Sequence, residues 1–265
     1  MFEPNELFWE INRLKKGRRV ITNNFLPITS IQQLSKQNES LLLYNSEAIA
    51  LLCNDNGIER LYFHLSGLNS AAMLGNLLRS RNRQPLVADC IGKTDQDAKL
   101  VQALCDIGFS RYTNLSRWRS NIIKLSPVSS NGMFFAAGWK DAERIEVLLR
   151  NTLDPLAGHL PSKEKLLSLI RHGLVFQASL DGDLVAAVCL EKTGKAGIYI
   201  YQIAVSKCHR STGIGSRLLQ YALSRFQDYL VFTSWVEDQN IASNRIHQKL
   251  GMKQDGLKDT VLLLN

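Results

Sequence analysis

From Met133 onward the sequence alternates short β-forming runs with stretches whose apolar residues recur at helical spacing, and this alternation limits the folds open to it. Met133–Ala137 reads as a strand and Asp141–Asn151 as a helix, with Ala142, Ile145, Leu148 and Leu149 on one face. Pro161-Ser162 opens a second helix, Lys163–His172, which Gly173 closes. Leu174–Leu180 and Leu184–Glu191 flank the hairpin signal Asp181-Gly182-Asp183, and Gly197–Val205 follows as a third strand. A helix over Gly213–Phe226 turns Ile214, Leu218, Leu219, Ala222, Leu223 and Phe226 inward; Tyr229–Trp235, Asn240–Leu250 and Thr260–Leu264 add strand, helix, strand. That order calls for an α/β (α+β) fold, a sheet flanked by helices.

The first half repeats the order from the hairpin onward. Leu41–Tyr44, Ala48–Cys53 and Ile58–Leu65 read as strands, Asn69–Arg81 as a helix, Pro85–Ile91 as a strand, Asp95–Ile107 as a helix and Phe109–Leu115 as a strand. Asp106-Ile107-Gly108-Phe109 even matches Lys249-Leu250-Gly251-Met252 where the last helix of each set stops. The repeat reads as a divergent duplication, two tandem units divided in the turn-rich stretch Leu125-Ser-Pro-Val-Ser-Ser-Asn-Gly, as domains 1–126 and 127–265. Residues 1–40 read as poorly specified helical or loop segments.

A chain of 265 residues, 45% of them hydrophobic, can bury two cores, and its longest apolar runs are too short to cross a bilayer. The first residues carry neither the positive nor the apolar region of a secretory signal, so a cytoplasmic location is expected, with no membrane partner. Five cysteines without metal-ligand or disulfide spacing argue against a zinc site or a bridged scaffold. Four lie in apolar runs; Cys208, in a polar loop, reads as loop filling. The net charge of +8 is dispersed in small groups such as Arg79, Arg81 and Arg83, so nucleic acid is not expected as a partner, whereas a basic surface suits a phosphorylated cofactor. Trp139 and Trp235 are expected in the core.

The chemistry concentrates in Ile203-Ala204-Val205 and the following Arg210-Ser211-Thr212-Gly213-Ile214-Gly215-Ser216, a strand, a loop with two glycines and a helix start. First-turn amides lack internal partners and carry partial positive charge, a seat for phosphate. Gly213 and Gly215 have no Cβ to block a diphosphate, while Ser211, Thr212 and Ser216 offer hydroxyls and Arg210 a cation. No lysine completes a P-loop, and Leu218 stands where a dinucleotide fingerprint needs its third glycine.

These residues resemble the GNAT acyltransferase superfamily, whose Arg/Gln-x-x-Gly-x-Gly/Ala loop is matched by Arg210–Gly215. A second match follows at Asn240, Gly251 and Met252, with His247 where the family has tyrosine. The resemblance covers roughly residues 131–265. It implies a mixed sheet splayed between the strand ending at Val205 and Tyr229–Trp235. The pantetheine of acetyl-CoA, or another acyl-CoA, would pair near Ile203–Val205, with its diphosphate on the loop and Asn240 alongside. The implied reaction is direct attack of a small-molecule or peptide amine on the thioester. His247, two helical turns from Asn240, is the expected proton donor, with Tyr201 and Tyr199 as alternatives. Glu191, Glu237 and Asp238 are the candidate bases, and His159 stands in a segment that borders the acceptor in the family. A non-catalytic module of the same fold, holding CoA as sensor or structural ligand, is the alternative. The first half lacks the loop: Ser66-Gly67-Leu68-Asn69-Ser70-Ala71 has one glycine and no arginine.

Overall fold

The structure, a computed structural model, describes residues 3–16, 19–24, 31, 40–79, 85–93, 95–125 and 132–265. The expected boundary between residues 126 and 127, and most of the Arg79–Arg83 cluster, lie outside them. The chain forms two compact units, one of Met1–Asn114 with Lys258–Asn265 and one of Leu115–Leu257.

In unit 1 the elements are α1 (Pro4–Lys15), β1 (Ile21–Thr22), β2 (Leu41–Tyr44), β3 (Ala48–Asp55), β4 (Ile58–Leu65), α2 (Ala71–Leu78), β5 (Leu86–Gly92) and α3 (Asp95–Asp106). Helix α1 starts with proline in its first turn and buries Leu7, Ile11 and Leu14 as one helical stripe. Its stripe packs with Ile49, Leu51 and Cys53 of β3. The antiparallel β2, β3 and β4 are followed by β5, parallel to β4, and the chain's last strand, β12 (Lys253–Leu264), pairs Lys258–Leu264 antiparallel with β5.

The strand β6 (Ser110–Ser120) runs five residues past the expected Leu115, and its second half belongs to unit 2. There follow β7 (Phe134–Ala136), α4 (Ala142–Thr152), α5 (Lys163–Arg171), β8 (Val175–Leu180), β9 (Asp183–Thr193), β10 (Gly197–Val205), α6 (Ile214–Leu223), β11 (Val231–Glu237) and α7 (Ile241–Lys249). The strand order in this unit is β6-β11-β10-β9-β8-β7, all antiparallel except β10 with β11. Helices α4 and α6 both pack on β9 and β10. Ile214, Leu218, Leu219, Ala222 and Leu223 of α6 are buried as their spacing requires.

Two expectations are corrected. Trp139 is 69% exposed, because it sits in a short 3-10 turn ahead of α4, with the Lys140 ammonium 5.4 Å from its ring centre. The final strand begins seven residues before Thr260, in the polar stretch Lys253–Asp259 that carries no apolar alternation.

Candidate active site

The site in unit 2 grows out of a ladder that stops. Strands β10 and β11 pair from Gly197/Val231 to Ile200/Ser234, and the buried Ser234 hydroxyl donates to the Ile200 carbonyl at 3.1 Å. Beyond that rung β10 runs on to Val205 and β11 to Glu237, each still paired on its far side with β9 or β6. The two strands therefore part over Tyr201–Val205, and main-chain groups of β10 turned toward β11 meet no strand there. At the same point β10 carries a bulge: Ile200 pairs Leu190 and Gln202 pairs Cys189, leaving Tyr201 as the extra residue. The sequence signals this only through Gln202, a polar residue in the inward series Ile198, Ile200, Gln202, Ala204. Gln202 donates from Nε2 to the His159 carbonyl at 3.0 Å, fastening the segment between α4 and α5 to the strand.

The end of β10 leads through a short 3-10 turn, Lys207–His209, into α6. Gly213 caps α6 with φ +81°, and no side chain accepts from the first-turn amides as a cap. A Cβ on Gly213 would meet nothing within 4 Å, so its backbone faces open space. A Cβ on Gly215 would lie 2.9 Å from Val205 Cγ2: this glycine lets α6 sit down on β10. Ser211 is exposed at φ +65°. The Thr212 hydroxyl donates to the His209 carbonyl at 2.7 Å, which spends the donor expected for phosphate on the loop itself. Exposed Arg210 donates to the Val205 carbonyl from Nε (3.4 Å) and to the Thr152 carbonyl from Nη2 (3.3 Å), so it bridges the strand end and the C-terminus of α4.

Asn240 stands at the N-cap of α7, its Oδ1 accepting from the Ser243 amide at 3.0 Å. The Ser116 hydroxyl of β6 donates to Asp238 Oδ1 at 2.6 Å, which ties down the turn before the cap. Sequence spacing put His247 on the face of Asn240 in the groove; the structure instead encloses it at 1% exposure, its ring 5.9 Å from that of Trp118. His247 Nδ1 lies 2.8 Å from the Ser243 carbonyl and must donate to it, so the proton of the neutral ring is on Nδ1. Among the described residues Nε2 is buried without a partner, as is the neighbouring Trp118 Nε1. Burial pushes the imidazole pKa below its ordinary value, only partly offset by the Ser243 bond.

On β9, Glu191 is directly opposite Tyr199, whose ring lies 5.8 Å from that of Tyr201. Lys165 of α5 pairs with Glu191 at 2.5 Å. The structure thus brings Glu191, Tyr199 and Tyr201 together beside the point where the strands part. Cys208 is exposed, while Cys53 and Cys189 are buried with thiol pKa values pushed up to about 12. A cleft of about 830 Å³ opens nearby, lined by Glu143, Arg144, Asn151, Asp183, Lys207 and His209 among others; it lies between α4, β9 and the end of β10, and no β11 residue lines it.

Residues 143–252 match the model of the acetyltransferase (GNAT) family. These residues, within unit 2, form a GNAT acetyltransferase domain. No curated protein matches the chain. Among solved structures, it is similar to a GCN5-related N-acetyltransferase from Sphaerobacter thermophilus, with 12% identity over 90% of this chain and 85% of that one and a TM-score of 0.61. A tandem GNAT protein from the clavulanic acid biosynthesis pathway is 14% identical over 88% of this chain and 86% of its own, with a TM-score of 0.58. A GCN5-related N-acetyltransferase from Kribbella flavida is 12% identical over 88% and 92%, with a TM-score of 0.57. At such identities the likeness is one of fold, and it extends beyond the GNAT domain to most of the chain.

Proposed function

We propose that the GNAT domain, taken as residues 127–265, transfers an acetyl group from acetyl-CoA to a primary amine of a small molecule or peptide by direct attack. The parting of β10 and β11 beside the uncapped start of α6 carries this reading. The residues present fit the group: Ile203, Ala204 and Val205 offer main-chain pairing to an extended arm, and the amides of Gly213, Ile214, Gly215 and Ser216 offer a seat for a diphosphate. Arg210, Ser211 and Thr212 shape the loop and add charge at its rim, and Asn240 borders the opening from α7. When bound, acetyl-CoA supplies an acyl thioester. A main-chain N–H of β10 at the bulge would polarise the acyl oxygen as charge develops on it.

We assign proton delivery to the Tyr201 phenol, at the bulge, and proton acceptance from the amine to Glu191, two positions away across the β9 pairing. His247 serves less well as an acid, because enclosure favours its neutral form and the one ring proton is committed to Ser243. Five cysteines without a disulfide suit the cytoplasm.

The test is a calorimetric titration with acetyl-CoA and longer acyl-CoAs, followed by thiol release with a panel of primary amines. Binding with turnover of at least one amine is expected. Binding without turnover across the panel would favour a non-catalytic CoA-holding module.

A further inference from the structure

We propose that each chain carries one acyl-CoA site and not two, because unit 1 fills the corresponding opening with its own chain. The inference rests on the reading of unit 2 for what that opening accepts.

Strand β4 holds the place in unit 1 that β10 holds in unit 2: it is the last of an antiparallel set, and a helix and then a parallel strand follow it. Its parallel ladder is also short, pairing Glu59 and Arg60 with Leu86 and Val87 before it stops. Counted back from the strand ends, Phe63–Leu65 correspond to Ile203–Val205. In unit 1 these residues are taken. Ile21 and Thr22 of β1 pair with Leu65 and His64. The Thr22 hydroxyl donates to the Phe63 carbonyl at 2.6 Å, and the Phe63 amide donates to Asn23 Oδ1 at 2.7 Å. Asn23 Nδ2 donates to Leu61 O of β4 at 2.9 Å and to Asp89 O of β5 at 3.1 Å, so one buried side chain spans the gap between the two strands. An amide that makes three main-chain bonds out of water is costly to dislodge.

The helix start has an acidic neighbour. The Ser70 hydroxyl, at the N-cap of α2, donates to Glu47 Oε2 at 3.0 Å and accepts from Ser66 Oγ at 2.8 Å. The amides at this start are no more capped by side chains than those of α6, but a carboxylate stands beside them, and it repels a diphosphate.

Two measurements on the full chain decide the matter. Without ligand, the Phe63 amide should exchange with solvent slowly in the wild type and at least tenfold faster in Asn23→Ala. Wild-type exchange at the rate of an open strand amide, or no change in the variant, would overturn the inference; the wild-type rate stands even if the variant folds poorly. Calorimetry with acetyl-CoA should give one site per chain, lost in Ser216→Glu, where a first-turn carboxylate supports α6 but opposes a diphosphate. Two sites per chain, or a site that survives Ser216→Glu, would also overturn it. If the wild type binds no acetyl-CoA, the reading of unit 2 fails, and the Phe63 amide alone decides whether unit 1 is filled.

Discussion

The loop pattern admits alanine at the place of Gly215 and not at that of Gly213, yet the surroundings of the two glycines here reverse that order. Gly213→Ala meets open space but places a Cβ at φ +81°, a left-handed cost of about 1–2 kcal/mol, and leaves the helix seated. Gly215→Ala drives its Cβ against Val205 and is expected to cost about 1–3 kcal/mol by overpacking, to lift α6 from β10 and to weaken acetyl-CoA binding more than Gly213→Ala does. Urea unfolding and calorimetry on both variants check the ranking. Tyr201→Phe should lower kcat by about 10²–10⁴, the usual reach of general acid catalysis, with acetyl-CoA affinity unchanged. His247→Phe should leave the pH profile of kcat in place; loss of a limb of that profile would return the proton-donor role to His247. The loop and Asn240 could be read from the chain because their signals are local and short. The burial of His247 could not, since it depends on Trp118, far away in sequence, and the exposure of Trp139 turned on a single 3-10 turn.

Strands and helices that alternate or repeat cleanly could be read almost to the residue, as Ile58–Leu65 and Gly197–Val205 show. The elements that escaped are those whose partners lie far along the chain. Lys253–Leu257 is polar and forms part of a strand, held by the ion pair of Asp255 with Arg117 at 2.6 Å. Strand β1 is two residues long, and its place comes from side-chain bonds to β4 and β5. Beside it, burial, helped by the charge of Lys15, lowers the pKa of His64 from 6.5 to about 4. The unfolded chain takes up this proton near pH 6.5 and the folded unit only near pH 4, so the stabilisation is complete above 6.5 and is lost as pH falls toward 4. The loss amounts to roughly 3 kcal/mol, and the lowered pKa of His247 acts in the same direction in unit 2. The urea midpoint should therefore fall between pH 7 and pH 4.5, and His64→Asn should flatten the dependence; a midpoint constant over that range would contradict it.

Each half of the chain gives a strand to the compact unit of the other: Leu115–Ser120 precedes the linker yet pairs with β11, and Lys258–Leu264 ends the chain yet pairs with β5. Fragments 1–125 and 132–265 should thus fold poorly alone and recover native circular dichroism when refolded together. If fragment 132–265 is stable alone, β6 is dispensable to unit 2. The repeated element order was readable in the sequence; the exchange was not, because strand order in a sheet is set by pairings the sequence does not write locally. Amide exchange across the whole chain with and without acetyl-CoA tests the central claim most directly. Added acetyl-CoA should slow exchange at Ile203–Val205 and at Gly213–Ser216 while leaving Phe63–Leu65 as they were. Protection absent from both β10 and the start of α6 would contradict the claim that the diphosphate rests on that helix beside the parted strands.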